Sequence, residues 1–179
     1  MKKPSVTELL QLLNKPALIG WANKQGLLGI DINKAKKVWL NDGSSIHNQI
    51  EKFIKDGEPF INSEHQKKFI EFISDKEILG LEQNIETDWF IGRYDMKIKW
   101  NGKIYLIDFK INHKNIYLEN RLQLVGYSMA EHCDSFAIVS VPDFTVMNFK
   151  IENRTPYEDM LKSLSIIYKS KNQIENGTI

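Results

Sequence analysis

The stretch GRYDMKIKWNGKIYLIDFK, residues 92–110, constrains this chain more than any other. Two runs of strand-like alternation flank Asn101-Gly102. That dipeptide suits a two-residue type I′ turn, which needs positive φ at both central residues. Such a turn sets Trp100 opposite Lys103, and every cross-strand pair then has residue numbers with the same sum. Side chains alternate along a strand. One face therefore carries Tyr94, Met96, Ile98 and Trp100, opposite Phe109, Ile107, Tyr105 and Lys103. The other carries Arg93, Asp95, Lys97 and Lys99, opposite Lys110, Asp108, Leu106 and Ile104. The first face is apolar and belongs in a core. The second puts Asp95 directly across from Asp108.

Facing carboxylates need an explanation. Directly opposed Cβ atoms lie ~4.5–5.5 Å apart, and two charges 4 Å apart repel by ~4 kcal/mol at an effective dielectric of ~20. A domain's net stability is only ~5–15 kcal/mol. Three arrangements would offset the repulsion. One Asp could keep a proton, Arg93 and Lys110 could neutralise the pair, or a divalent cation could sit between the acids. Hard oxygen ligands suit Mg²⁺ or Mn²⁺.

The rest of the chain supplies an α/β frame. Ser5-Val6-Thr7-Glu8 is a capping box that opens a short helix bearing Leu9, Leu10, Leu12 and Leu13. Further helices are expected at Pro16–Lys24, stopped by Gly26, and at Ile32–Leu40. After a break at Asp42-Gly43-Ser44, another runs Ser45–Lys55 with a stripe of Ile46, Ile50, Phe53 and Ile54. Ser63 caps a helix through Ile73. After Asp75 the pattern becomes strand-like, at Ile78–Glu86, Trp89–Trp100 and Lys103–Asn112. A helix at Leu118–His132, strands at Ser135–Val141 and Thr145–Ile151, and a helix at Pro156–Tyr168 complete the order. Met160, Leu161, Leu164 and Ile167 form the inner face of that last helix. The polar tail from Lys169 to Ile179 is expected to fray. The expectation is one 179-residue domain: helices over 1–75, then a mixed sheet with covering helices over 76–168.

Composition narrows the function classes. The net charge of +1 announces no global basic field, so a nucleic-acid partner would be met by a local patch. Between residues 93 and 121 there are seven basic residues (93, 97, 99, 103, 110, 114, 121) against three acids (95, 108, 119). Lys97, Lys99, Lys114 and Arg121 are the candidates for phosphate contacts. Trp89, Trp100 and Tyr117 could stack bases, though aromatics serve more often as core. The lone Cys133 excludes a disulfide framework and a four-cysteine iron–sulfur cluster within the chain. It suits a reducing compartment, pointing to the cytoplasm. No apolar run reaches the ~18–20 residues of a membrane span, and the opening MKKPSVTELL turns polar too soon for a signal peptide.

In order, the chain presents His47 within GSSIHNQIEKFI, Gly92-x-x-Asp95, a hairpin, Asp108-Phe109-Lys110, and Gln123-x-x-x-Tyr127. This set resembles the PD-(D/E)XK nucleases. The helical His and the Gln-x-x-x-Tyr element resemble their RecB-like branch, which includes RecB nuclease domains, CRISPR-associated adaptation nucleases and small phage recombination nucleases. The resemblance covers roughly Asp42–Ala130. It implies a restriction-endonuclease-like core and a hydrolase cutting DNA phosphodiester bonds with one or two Mg²⁺ or Mn²⁺ ions. It implies Asp95, Asp108, His47 and the backbone carbonyl of Phe109 as metal ligands. Asp95, Asp108, Lys110, Gln123 and Tyr127 form the implied catalytic set.

Local chemistry accommodates those roles. Lys110 lies two residues from Asp108 and leaves the same strand face, where an ammonium would orient water or steady phosphate charge, or simply pair with the acid. Gln123 and Tyr127 share a helix face at i, i+4. Taken alone, His47 reads as a structural histidine and Tyr127 as a buried tyrosine bonded to Gln123. If Thr87-Asp88 make a tight turn, Glu82 faces Arg93 on the side of Asp95 and becomes a possible auxiliary acid. The expected function is an exonuclease of phage-type recombination, repair or replication. It would act on single-stranded DNA or duplex ends, in the host cytoplasm if phage-encoded, alone, as a homo-oligomer or with a recombination or replication partner. The alternatives are a structure-selective endonuclease and a non-catalytic module on a nuclease fold that binds DNA or protein. No iron–sulfur cluster and no membrane enter the expectation.

Overall fold

In a computed structural model, which describes residues 2–14, 16–31 and 46–177, the chain forms a five-stranded sheet in the order β1-β2-β3-β4-β5 with helices on both faces. The strands are β1 (Glu77–Glu86), β2 (Ile91–Trp100), β3 (Lys103–Ile111), β4 (Ser135–Val141) and β5 (Thr145–Phe149). Three of the four pairings are antiparallel. β3 and β4 pair in parallel. A parallel pair needs a crossover, and helix α5 (Leu118–Ser128) lies between them in sequence. The other helices are α1 (Val6–Leu10), α2 (Pro16–Leu27), α3 (46–56), α4 (Ser63–Ile73) and α6 (Thr155–Glu175). The chain is thus a mixed α/β protein with a mostly antiparallel sheet. The expected helix at Ile32–Leu40 and the break at Asp42-Gly43-Ser44 lie outside the described residues.

The hairpin follows its sequence signal. Asn101 and Gly102 take φ of 50° and 74°, and Trp100 pairs with Lys103. The single-sum register holds through Lys99↔Ile104, Ile98↔Tyr105, Lys97↔Leu106 and Met96↔Ile107. It stops there, one step before Asp95 would meet Asp108.

Two apolar layers sandwich the sheet. Leu9 and Leu10 of α1, Leu122 and Val125 of α5, and Leu161 and Leu164 of α6 cover Tyr94, Leu106, Phe136 and Ile138. On the opposite face, Ile46 and Ile50 of α3 and Phe69 and Phe72 of α4 cover Met96, Ile98, Ile107, Phe109 and Val139. Tyr94 was expected beside Met96, yet the two belong to opposite layers. The backbone breaks its alternation at Asp95, between them. Opposite that point Glu82 adopts a left-handed φ of 49°, and neither neighbouring strand pairs with Asp95 in its ladder.

Several element ends differ from expectation for local reasons. α2 runs past Gly26 and is stopped by Gly29 (φ 70°). There the Ile30 N–H donates to Gln25 O and the Gly29 N–H to Gly26 O, the paired bonds of a Schellman end. Asn62, not Ser63, caps α4, its Oδ1 accepting from the N–H groups of Glu64 and His65. β2 starts at Ile91 because Thr87–Phe90 form a four-residue loop, closed by Thr87 N–H to Phe90 O and by the Thr87 hydroxyl. α5 ends at Ser128. α6 continues to Glu175, so most of the expected frayed tail is helical, while Ile167 of its expected inner face is exposed. The start of the chain is stitched to β2: Ser5 bridges Ile91, and Ile91 N–H donates to Pro4 O at 2.9 Å.

Candidate active site

The notch at Asp95 opens into a cleft of about 450 Å³. Its lining includes His47 from α3, Asp95 from β2, Asp108 and Lys110 from β3, and Gln123 and Tyr127 from α5. Residues more than 75 positions apart in sequence converge because β2 and β3 part company here while α3 and α5 approach from opposite layers. The cleft was legible as a motif set. Its wall of Ser5, Val6 and Thr7 and its Asn84 were not, because their placement depends on the N-terminal bridge and on the β1–β2 register.

Asp95 is buried. Its Oδ2 accepts from the Phe109 N–H at 2.7 Å, so a side-chain oxygen occupies the place where a ladder carbonyl would bond. Burial pushes the Asp95 carboxyl well above its ordinary range, and the charge of Asp108 adds to the effect. The two acids are therefore close enough to feel each other. Asp108 is 1% exposed, with Lys110 Nζ 2.7 Å from Oδ2 and donating to Oδ1 at 2.9 Å. Charge thus stands beside Oδ2, but that atom makes no hydrogen bond; among the described residues it is the one buried side-chain oxygen so left. Of the three remedies for facing acids, lysine neutralisation is present at Asp108. Arg93 goes elsewhere, its Nε 2.8 Å from Glu82 Oε2.

His47 sits over the notch with both nitrogens engaged. Nε2 lies 3.2 Å from the Phe109 carbonyl. With that nitrogen donating, Nδ1 carries the lone pair, and it faces Asp95 Oδ1 at 3.6 Å and Glu82 Oε1 at 3.9 Å. Burial lowers the His47 pKa below its ordinary value, which keeps the imidazole neutral and able to ligate. One atom each from His47, Glu82 and Asp95 fall within 4.8 Å of one another. This trio differs from the expected ligand set. Glu82 stands within it, Asp108 lies outside it and is paired with Lys110, and the Phe109 carbonyl holds the imidazole. In metal sites a histidine that ligates through one nitrogen commonly donates the other N–H to a carbonyl, which fixes its tautomer and orientation. Glu82 does not face Arg93 across the ladder, where Asn84 does, but its side chain reaches the guanidinium diagonally.

A polar relay extends away from the acids. Lys110 Nζ donates to Gln123 Oε1 at 3.3 Å, and Gln123 Nε2 donates to the Tyr127 hydroxyl at 2.8 Å. Burial alone would lower the Lys110 pKa, but the charges of Asp108 and Asp95 outweigh it and raise it, so Lys110 remains an ammonium. Burial raises the Tyr127 pKa strongly, so its hydroxyl stays protonated.

The expected phosphate contacts divide. Lys97 is largely buried and pairs with Glu131 at 2.9 Å. That makes it a structural cation, a consequence of where the turn after α5 falls. Lys99 is exposed but four residues toward the hairpin tip from Asp95, about 13 Å along a strand. Lys114 and Arg121 are exposed on the loop and helix that follow Lys110. Trp100 donates to Asp75 and packs on Tyr105, and the Trp89 carbonyl accepts from Ser165, so both act as packing residues. Tyr117 is half exposed, edge-on to His113.

No protein-family model matches the chain, and no curated protein matches it. Among solved structures, it is similar to the crystal structure of SSO0001, at 16% identity and a TM-score of 0.44, with 91% of this chain and 75% of that chain covered. A likeness of that strength carries no functional argument. No helix among the described residues is long and apolar enough to cross a membrane.

Proposed function

We propose that this chain is a divalent-cation-dependent deoxyribonuclease on a restriction-endonuclease-like core, of the RecB-like PD-(D/E)XK type. One observation carries the reading: a His47–Glu82–Asp95 trio within 4.8 Å forms at the cleft that also holds a buried Asp108 carboxylate ion-paired with the Lys110 ammonium. The donor set fits a hard cation. It offers carboxylate oxygens and a neutral imidazole, with acids whose burial is costly until a cation joins them. Mg²⁺ or Mn²⁺ would be held by Asp95, Glu82 and Nδ1 of His47. When bound, such an ion contributes Lewis-acid stabilisation of phosphate charge and a lowered pKa for water.

The protein's own groups perform the remaining work. Asp108 fixes the Lys110 ammonium, which is aimed into the cleft to orient a water or a phosphate oxygen. Gln123 holds that ammonium from the other side and ties it to Tyr127, whose ring closes the cleft wall. The Phe109 N–H and carbonyl position Asp95 and His47 together, so the backbone of one residue sets two candidate ligands. Exonuclease action on single strands or duplex ends follows from the resemblance to phage recombination and repair nucleases.

Digestion of end-labelled single-stranded, duplex and flap DNA with Mg²⁺, Mn²⁺ or chelator tests the proposal. Cation-dependent cutting is expected, lost in a folded Asp108→Asn variant. Binding without cutting by the wild type would replace the enzyme with a non-catalytic DNA-binding module.

A further inference from the structure

Glu82 presents its two oxygens to different partners. Oε1 lies 3.9 Å from His47 Nδ1, and Oε2 lies 2.8 Å from Arg93 Nε. The pair is lopsided in exposure: the Glu82 side chain is 7% exposed and that of Arg93 is 61% exposed. The acid is therefore anchored in the site while the guanidinium lies at its mouth. Arg93 lines the same cleft as Lys110, but their situations differ. Lys110 is tied between Asp108 and Gln123. Arg93 holds this one ion pair among the described residues, made through Nε on a solvent-facing side. Solvent screens the exposed guanidinium, so this pair is weaker than one buried on both sides. Across the ladder from Arg93 stands Asn84, exposed, and the facing wall includes Thr7.

Resting on the nuclease reading, we propose that Arg93 is a phosphate-positioning residue restrained by Glu82, and that cation binding at His47, Glu82 and Asp95 would ease the restraint. With a divalent cation held by His47, Asp95 and Glu82, the Glu82 carboxylate would share its charge with that cation and hold Arg93 less tightly. The released guanidinium meets a substrate phosphodiester at the cleft mouth, where its planar fork matches two phosphate oxygens. Cation loading and substrate binding are thereby coupled through a single carboxylate, and the coupling is reciprocal. The site is more than a cluster of acids, since His47 Nδ1 stands 3.6 Å from Asp95 Oδ1 and 3.9 Å from Glu82 Oε1, a nitrogen donor among the carboxylates.

A double-mutant cycle tests this. Wild type, Glu82→Gln, Arg93→Gln and the double variant, each checked for folding by circular dichroism, are titrated with a labelled oligonucleotide in chelator. Mn²⁺ affinity is measured separately by calorimetry without DNA. Glu82→Gln should tighten metal-free oligonucleotide binding roughly five-fold or more, and the gain should vanish on the Arg93→Gln background. Arg93→Gln should weaken oligonucleotide binding and tighten Mn²⁺ binding; Glu82→Gln should weaken Mn²⁺ binding. If the Glu82→Gln gain persists without Arg93, Glu82 acts only as a repelling charge and the exchange is overturned. It is overturned equally if Arg93→Gln leaves both affinities unchanged. A wild type that binds Mn²⁺ and cuts DNA while the cycle fails leaves the nuclease reading standing. One that binds neither Mn²⁺ nor oligonucleotide removes both.

Discussion

The Phe109 N–H donates to Oδ2 of Asp95 at 2.7 Å, a backbone donor served by a side chain in the middle of a sheet. The β2–β3 ladder ends one residue before this bond. Asp95 is thus held by the strand it has stopped pairing with, and the gap so created is the floor of the cleft. The carbonyl of Phe109 lies against His47, so disturbing the backbone at Phe109 moves both candidate ligands.

Asp95→Asn should stabilise the metal-free protein by about 1 kcal/mol or more, because it removes a buried charge while its amide oxygen still accepts from Phe109. The same variant should lose the rise in Tm that Mg²⁺ or Mn²⁺ gives the wild type. Thermal melts with chelator and with cation read both effects. A variant less stable in chelator, with its cation shift intact, would remove Asp95 from the site.

Lys110→Met leaves Asp108 buried with neither an ion pair nor a hydrogen bond to either oxygen from that ammonium. Loss of one partner of a buried pair costs about 3–5 kcal/mol; the partial exposure of Lys110 places this case at the lower end. Added Mn²⁺ should restore part of the stability and none of the cleavage. Denaturant melts with and without Mn²⁺, beside a cleavage assay, separate the two roles of the ammonium.

Gly92 is required by proximity. A Cβ there would stand 2.8 Å from Tyr127 Cε1 and 3.3 Å from Ile85 Cδ1, both buried. Gly92→Ala should displace the Tyr127 ring, disrupt its bond from Gln123, and cost about 1–3 kcal/mol. Denaturant unfolding measures the loss, and a fall in cleavage larger than that of Gly102→Ala, a turn control, ties it to the site.

The pH dependence follows from three groups. Asp95 and Glu82 are raised, chiefly by burial, from ordinary values of 3.8 and 4.5. Their contribution to stability is therefore full below those values and is lost as pH rises through the folded ones. His47 is lowered from 6.5 by burial, so its contribution is present above 6.5 and lost as pH falls through its folded value. Cation binding needs all three deprotonated. The Tm increase produced by Mg²⁺ should grow from pH 5 to pH 7.5, measured against chelator at each pH. A shift independent of pH would exclude these residues as ligands.

How much was readable depended on distance along the chain. The turn at Asn101-Gly102 and the register it sets follow from local φ requirements, and so do the capping box at Ser5 and the adjacency of Asp108 and Lys110. The pairing of Gln123 with Tyr127 follows from helical spacing. By contrast, the four-residue loop at Thr87–Phe90 shifted β1 against β2 and moved Glu82 level with the notch. No local signal announced it, because a Thr hydroxyl closing a loop resembles any other polar residue in sequence.

From sequence alone came the α/β order, the hairpin, and the list of residues with chemistry to offer, since periodicity and turn preference act over a few residues. Tertiary structure alone decided that Glu82 joins His47 and Asp95, that Lys97 pairs with Glu131, and that Tyr94 and Met96 enter opposite layers. Those outcomes rest on where strands cease to pair and on which buried charges find a partner, and both are properties of the packed whole.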